Sequence, residues 1–164
     1  MQIRKLTSAA LLVAIGTLSA HLVYIPVGVS KCFPVQHAIN IMSAVLLGPD
    51  YAVATAFVIS CLRNLLGTGS LLAFPGSMIG AFLAGLLYRH FKHLGAAAVG
   101  EVFGTGILGA LCAWFVAANF LGSKAAAWFF VPPFLISTAG GTLIACVLLK
   151  SGAFYSLLTG KDGK

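Results

Sequence analysis

Long apolar stretches, broken mainly by glycine, proline and isolated basic residues, leave this chain one solvent to fold in, the lipid bilayer. From Leu6 to Tyr24 it runs without a charged residue, and another such run extends from Pro132 to Leu149. A helical crossing needs ~20 mostly apolar residues. Across the 164 residues the hydrophobic fraction is 60% and the charged fraction 8%, whereas a soluble domain is about a quarter charged. Six crossings would take roughly 120 residues and leave only short loops. No stretch remains for a soluble catalytic domain.

The pattern predicts an all-α integral membrane protein, one transmembrane domain over residues 1–164, with six spans. They fall at approximately residues 6–24, 35–47, 49–66, 74–88, 95–120 and 132–150. The second is short, so a tilted or partly re-entrant path stays open beside a full crossing. Gly48 and Pro49 punctuate the second and third spans, glycine suiting the end of one helix and proline the first turn of the next. The sixth span starts either at Ala125, with a break at Pro132-Pro133, or at Pro132. The second start is preferred, because proline fits a first turn and breaks hydrogen bonds deeper in. Residues Lys124 to Val131 then form an outer loop carrying Trp128.

Arg4 and Lys5 ahead of an apolar run resemble a signal peptide, but Leu18 occupies the −3 position of a cut after Ala20, where a small residue is wanted. The run is read as the first span. The basic residues set its orientation. With the N-terminus inside, Arg4, Lys5, Arg89, Lys92, Lys150, Lys161 and Lys164 are cytoplasmic, and only Lys31 and Lys124 lie outside. The expectation is N-in, C-in, in a prokaryotic plasma membrane. The net charge of +7 is thus a matter of topology, with no dense basic stripe to suggest nucleic acid. Cys32, Cys61, Cys112 and Cys146 form no C-x-x-C pair and read as free small residues. His90 and His93 sit beside Arg89 and Lys92 and read as part of a basic loop rather than a metal site. Gly67-Thr68-Gly69 lacks the Gly-Lys-Ser/Thr that a phosphate-cradling loop needs. No cofactor, metal or nucleotide site is expected.

Polar residues concentrate toward one side of the membrane. At ~1.5 Å rise per residue, His21 comes near the outer end of span 1, and Gln36, His37 and Asn40 occupy the outer turns of span 2. Arg63 and Asn64 end span 3, Asn119 ends span 5, and Trp128 follows. Polar groups at membrane depth face a bundle interior or a water-filled cavity, and convergent polar groups with aromatic walls hold small ligands. Each of these residues alone could snorkel or tie helices together; together they favour an outer cavity. Arg63, whose guanidinium stays charged, either snorkels or contacts a partner. Glu101 lies ~9 Å into span 5 from the inner end. It is protonated, paired with a base near the inner surface, or pointed at the cavity floor, and a direct pair with Arg63 is not assured.

Small residues repeat at four-residue spacing as Ala10/Ala14, Gly76/Gly80 and Gly100/Gly104. Such faces let helices approach closely. The two glycine pairs suit internal packing. Ala10 and Ala14, near the inner leaflet, suit a partner helix.

Several motifs together resemble the substrate-binding S components of energy-coupling factor (ECF) transporters, and among them the ThiW family. They are Ala10-Leu11-Leu12-Val13-Ala14; Leu47-Gly48-Pro49; Phe33-Pro34-Val35-Gln36-His37 with Asn40; Arg63 ahead of Leu66-Gly67-Thr68-Gly69; Ala73-Phe74-Pro75-Gly76-Ser77; and Glu101 before Gly104-Thr105-Gly106. The resemblance implies a six-helix subunit that captures hydroxyethylthiazole, a thiamine precursor, from outside. It also implies an EcfT-type transmembrane coupling protein, docked through Ala10 and Ala14, and two cytoplasmic ATPases. Phe33 and Trp128 are then expected as walls, with Gln36, His37, Asn40, Arg63, Asn64, Glu101 and Asn119 completing the site. Within this class, thiamine or its pyrimidine half is the alternative ligand, although a cationic thiamine would want an acid in the outer cavity. From other classes come a passive assembly subunit and a small membrane enzyme. The first leaves the polar cluster unexplained. The second would want clustered acids, whereas Asp50, Glu101 and Asp162 are far apart in sequence.

Overall fold

Alternation of apolar runs with glycine and proline breaks yields a helical bundle. The computed structural model describes residues 2–27 and 30–151; Gly28 and the tail carrying Lys161, Asp162 and Lys164 lie outside the described residues. Helix α1 (Gln2–Leu22) leads through a hairpin of β1 (Ile25–Val27) and β2 (Ser30–Cys32) into α2 (Pro34–Leu46). Then come α3 (Pro49–Leu65), α4 (Ala73–Phe91) and α5 (Leu94–Phe103). The last continues through a π-helical segment (Gly104–Gly109) into α6 (Ala110–Phe120), and α7 (Val131–Lys150) closes the bundle. Among the described residues, three helical stretches are long and apolar enough to cross a membrane: Gln2–Leu22, Leu94–Phe120 and Ala127–Lys150.

Helix α2 is the hub. Every residue from Gln36 to Ala44 is buried, and α1, α3, α4, α5 and α7 all pack on it. A helix apolar on most faces but carrying Gln36, His37, Asn40 and Ser43 needs neighbours that answer those polar groups. With 13 residues it is about 20 Å long. Its start is sunk into the bundle. The hairpin returns the chain inward, Cys32 Sγ donates to the Pro133 carbonyl at 3.1 Å, and the Phe33 amide donates to Ser137 Oγ at 2.9 Å. Burial pushes the Cys32 thiol up, which keeps it a donor. Further along α7, Gly141 makes room for the chain at Pro34 and His37; a Cβ there would come within 2.6 Å of His37 Cβ. Gly141 is ten residues beyond Val131, so the first turn of α2 lies about 15 Å below the start of α7.

The glycine pairs pack internally. A Cβ on Gly100 would lie 2.7 Å from the backbone of Leu83 and Ala84, and one on Gly104 would lie 2.8 Å from Gly80 Cα. α4 and the α5–π segment therefore touch backbone to backbone. Gly48 takes φ 101° between α2 and α3, and Pro49 enters the first turn of α3. His93 caps α5 by accepting from the Ala96 amide at 3.1 Å. Pro132 and Pro133 stand in the first turn of α7, which begins at Val131. On α1, Ser8, Ala9, Leu12, Gly16, Thr17 and Ala20 face inward, while Ala10 and Ala14 are exposed.

Candidate ligand-binding cavity

The end of α1, the start of α2, the end of α3 and the starts of α4 and α7 converge at one end of the bundle. They enclose a cavity of about 480 Å³. This is within the size range of small-molecule sites. Its rim carries His21, Tyr24 and Lys31, and its aromatic walls include Phe33, Phe130 and Phe134. Gln36, His37, Arg63, Ser77 and Ser137 supply polar groups to the interior.

Arg63 points inward and does not snorkel: it is 2% exposed. One terminal nitrogen donates to Gln36 Oε1, and the other to the Thr68 carbonyl at 2.9 Å. The guanidinium carbon lies 3.8 Å from the centre of the Phe33 ring, a stacked arrangement that suits the planar, weakly hydrated arginine head. Its Nε has no partner among the described residues. Gln36 is held in turn by donating to Ser77 Oγ at 2.8 Å.

Beneath the cavity lies a second network. Glu101 is wholly buried, with Oε1 2.8 Å from His37 Nδ1. The same oxygen accepts from Asn40 Nδ2 at 3.0 Å and from Thr105 Oγ1 at 3.0 Å. Of the three states open to Glu101 from the sequence, a pair with a base near the inner surface is replaced by a pair with His37 at the cavity floor. The sunken start of α2 brings His37 down to it. Gly80 leaves room for this carboxylate, since a Cβ there would stand 2.8 Å from Glu101 Oε2.

The expected site residues thus divide. Gln36, His37 and Arg63 line the cavity, and Asn40 and Glu101 support it from below. Asn64 is drawn to the chain instead, its Nδ2 donating to the carbonyls of Ser60 at 2.8 Å and Ser70 at 3.2 Å, which pins the loop over Gly67 to Ser70. Asn119 is exposed and bonds back to Phe115 O at 2.8 Å. Trp128 is 78% exposed, because the short turn at Ala127–Phe129 directs Phe130 inward in its place. The sequence reading left out Tyr24, Lys31, Thr68, Ser77, Phe134 and Ser137. Thr68 and Ser77 stand in the Leu66-Gly67-Thr68-Gly69 and Phe74-Pro75-Gly76-Ser77 motifs, which by themselves give neither a site role. Ser137, in an apolar helix, gives no local signal.

Among family models, that of the thiamine-precursor transporter protein (ThiW) matches residues 6–152. Neither the curated proteins nor the solved structures yield a match to the chain. With its apolar helices this is a multi-pass membrane transport protein and not an enzyme, and the chain belongs to the ThiW family of thiamine-precursor transporters.

Proposed function

We propose that the protein is the substrate-binding S subunit of an ECF-type importer and captures hydroxyethylthiazole from outside the cell. The observation that carries this reading is the cavity itself: a small chamber at one end of the bundle, walled by Phe33 and Phe134 and furnished with Gln36, His37 and Arg63. A flat heteroaromatic ring suits the aromatic walls. Its nitrogen and hydroxyl suit the donors. Among the described residues the wall includes Lys31 and Arg63 but no carboxylate, which speaks against cationic thiamine. The pyrimidine half has no feature of its own in its favour.

In this reading six helices cross the membrane, both ends face the cytoplasm, and the cavity opens outward beside Lys31. An EcfT-type coupling protein would dock on the exposed Ala10 and Ala14 of α1, and two cytoplasmic ATPases would supply the energy. The test is reconstitution of the protein alone in liposomes containing ATP, together with thermal stabilisation by hydroxyethylthiazole, thiamine and the pyrimidine precursor. Stabilisation by the thiazole without uphill uptake is the expected result. Uphill uptake by the isolated chain would overturn the subunit reading, and stabilisation by only the pyrimidine or thiamine would overturn the ligand.

A further inference from the structure

An arginine buried at 2% exposure retains its charge, and a buried charge is unfavourable unless something of opposite sign answers it. For Arg63 nothing does among the described residues. Its hydrogen-bond partners, Gln36 Oε1 and the Thr68 carbonyl, are neutral, and Phe33 offers only a ring face. Glu101, the acid beneath the cavity, bonds through Oε1 to His37, Asn40 and Thr105, and its Oε2, unpartnered among the described residues, lies toward Gly80 of α4; it makes no bond to Arg63. Nε of Arg63 remains buried and unpartnered among the described residues, in a side chain that lines the cavity.

A second cation lies on the same side. Lys31 Nζ stands 4.9 Å from the centre of the Tyr24 ring, and that ring is 6.5 Å from Phe33, on which Arg63 stacks. Two cations therefore flank two neighbouring rings at the cavity wall, and among the described residues that line it none is acidic. A neutral alcohol accepts a hydrogen bond there but leaves the charge unanswered. A cation is repelled.

We propose that the ligand form held most tightly carries an anionic group, a carboxylate or a phosphate ester, seated against Arg63 with Lys31 at the rim. This rests on the S-subunit reading for the ring but not for the anion, and the two separate experimentally.

The experiment is calorimetric and thermal-shift titration of the purified full-length protein in detergent with four probes: hydroxyethylthiazole, its phosphate ester, the thiazole bearing an acetate arm, and inorganic phosphate. Charge-assisted bonds are roughly twice as strong as neutral ones, so an anionic thiazole should bind about tenfold or more tighter than the alcohol. Arg63→Gln should abolish that difference. Lys31→Gln, at an exposed position that folding tolerates, should reduce it about threefold. An alcohol that binds as tightly as both anionic forms overturns the proposal. If no thiazole binds, stabilisation by inorganic phosphate in the wild type but not in Arg63→Gln keeps the anion site and discards the thiazole. Absence of both effects discards both.

Discussion

His37 Nδ1 and Glu101 Oε1 lie 2.8 Å apart, within hydrogen-bonding distance, although the two residues are 64 positions apart in sequence. This contact fixes the floor of the cavity, because His37 lines the chamber while Glu101 is wholly buried beneath it. Glu101→Ala would remove the partner of His37 Nδ1 and one of the partners of the Asn40 amide. Glu101→Gln keeps an acceptor where Oε1 stands. The alanine variant should therefore be less stable than the glutamine variant by about 1–3 kcal/mol. Thermal unfolding of both proteins in detergent, compared with wild type, measures the difference, and equal losses would show that the carboxylate's bulk rather than its bonding matters.

Gly80 faces the same carboxylate from α4. A Cβ there would overlap Thr105 Oγ1 and come within 2.8 Å of Glu101 Oε2. Both side chains emerge from helix packed backbone to backbone against α4, so neither can retreat without disturbing its bonds to Gly76 O and His37. Gly80→Ala should cost about 1–3 kcal/mol, as overpacking does. It should also weaken ligand binding, although Gly80 does not line the cavity. A melting curve and a ligand titration on the same preparation test both halves.

Arg63 sits between two other elements and the ligand space. Arg63→Ala should lower affinity about 10- to 100-fold, the loss expected for charge-assisted bonds in a desolvated site. Arg63→Lys should recover little of it, since an ammonium cannot at once stack on Phe33, reach Gln36 and reach Thr68. Titration of each folded variant decides the matter, and unchanged affinity in Arg63→Ala would remove this residue from the site.

These contacts show what could be read from the sequence and what could not. Arg63, Gln36 and His37 were legible because a charged or strongly polar side chain in an apolar run must face something, and the helix ends put them on one side. The Glu101–His37 pair was not legible. Counting ~1.5 Å per residue from span ends puts His37 in the outer turns of span 2 and Glu101 ~9 Å from the inner end of span 5. The hairpin over Ile25–Cys32 breaks that arithmetic, since it folds the chain back and starts α2 well inside the bundle. Nothing in a three-residue strand containing Pro26 announces such a hairpin. Asn119 and Trp128 show the converse error: being near the right end of a helix does not fix which way a side chain turns, and α6 packs on α4 and α7 while turning Asn119 outward.

The remaining prediction concerns the surface of α1. Ala10 and Ala14 are one turn apart on the exposed face, while Ala9, Leu12 and Gly16 form the inward face. The inward face is tightly packed, since a Cβ on Gly16 would stand 2.6 Å from Ile59 Cδ1. Among the described residues, Ala10 and Ala14 on the outward face are exposed. In a bilayer, a smooth surface of this kind lets another helix come close enough for dispersion contacts to hold it. Ala20, which lines the cavity, is about 9 Å further along the helix than Ala14 and is buried where Ala14 is exposed. If the protein works as the proposed S subunit, Ala10→Trp combined with Ala14→Trp should therefore block association with the proposed coupling protein while leaving the cavity intact. Uptake in cells and co-purification with that partner should be abolished, with ligand affinity within about twofold of wild type, since surface substitutions away from packed features change little. Loss of ligand binding together with docking would mean that this face supports the bundle. Retention of both would place the docking surface on another helix.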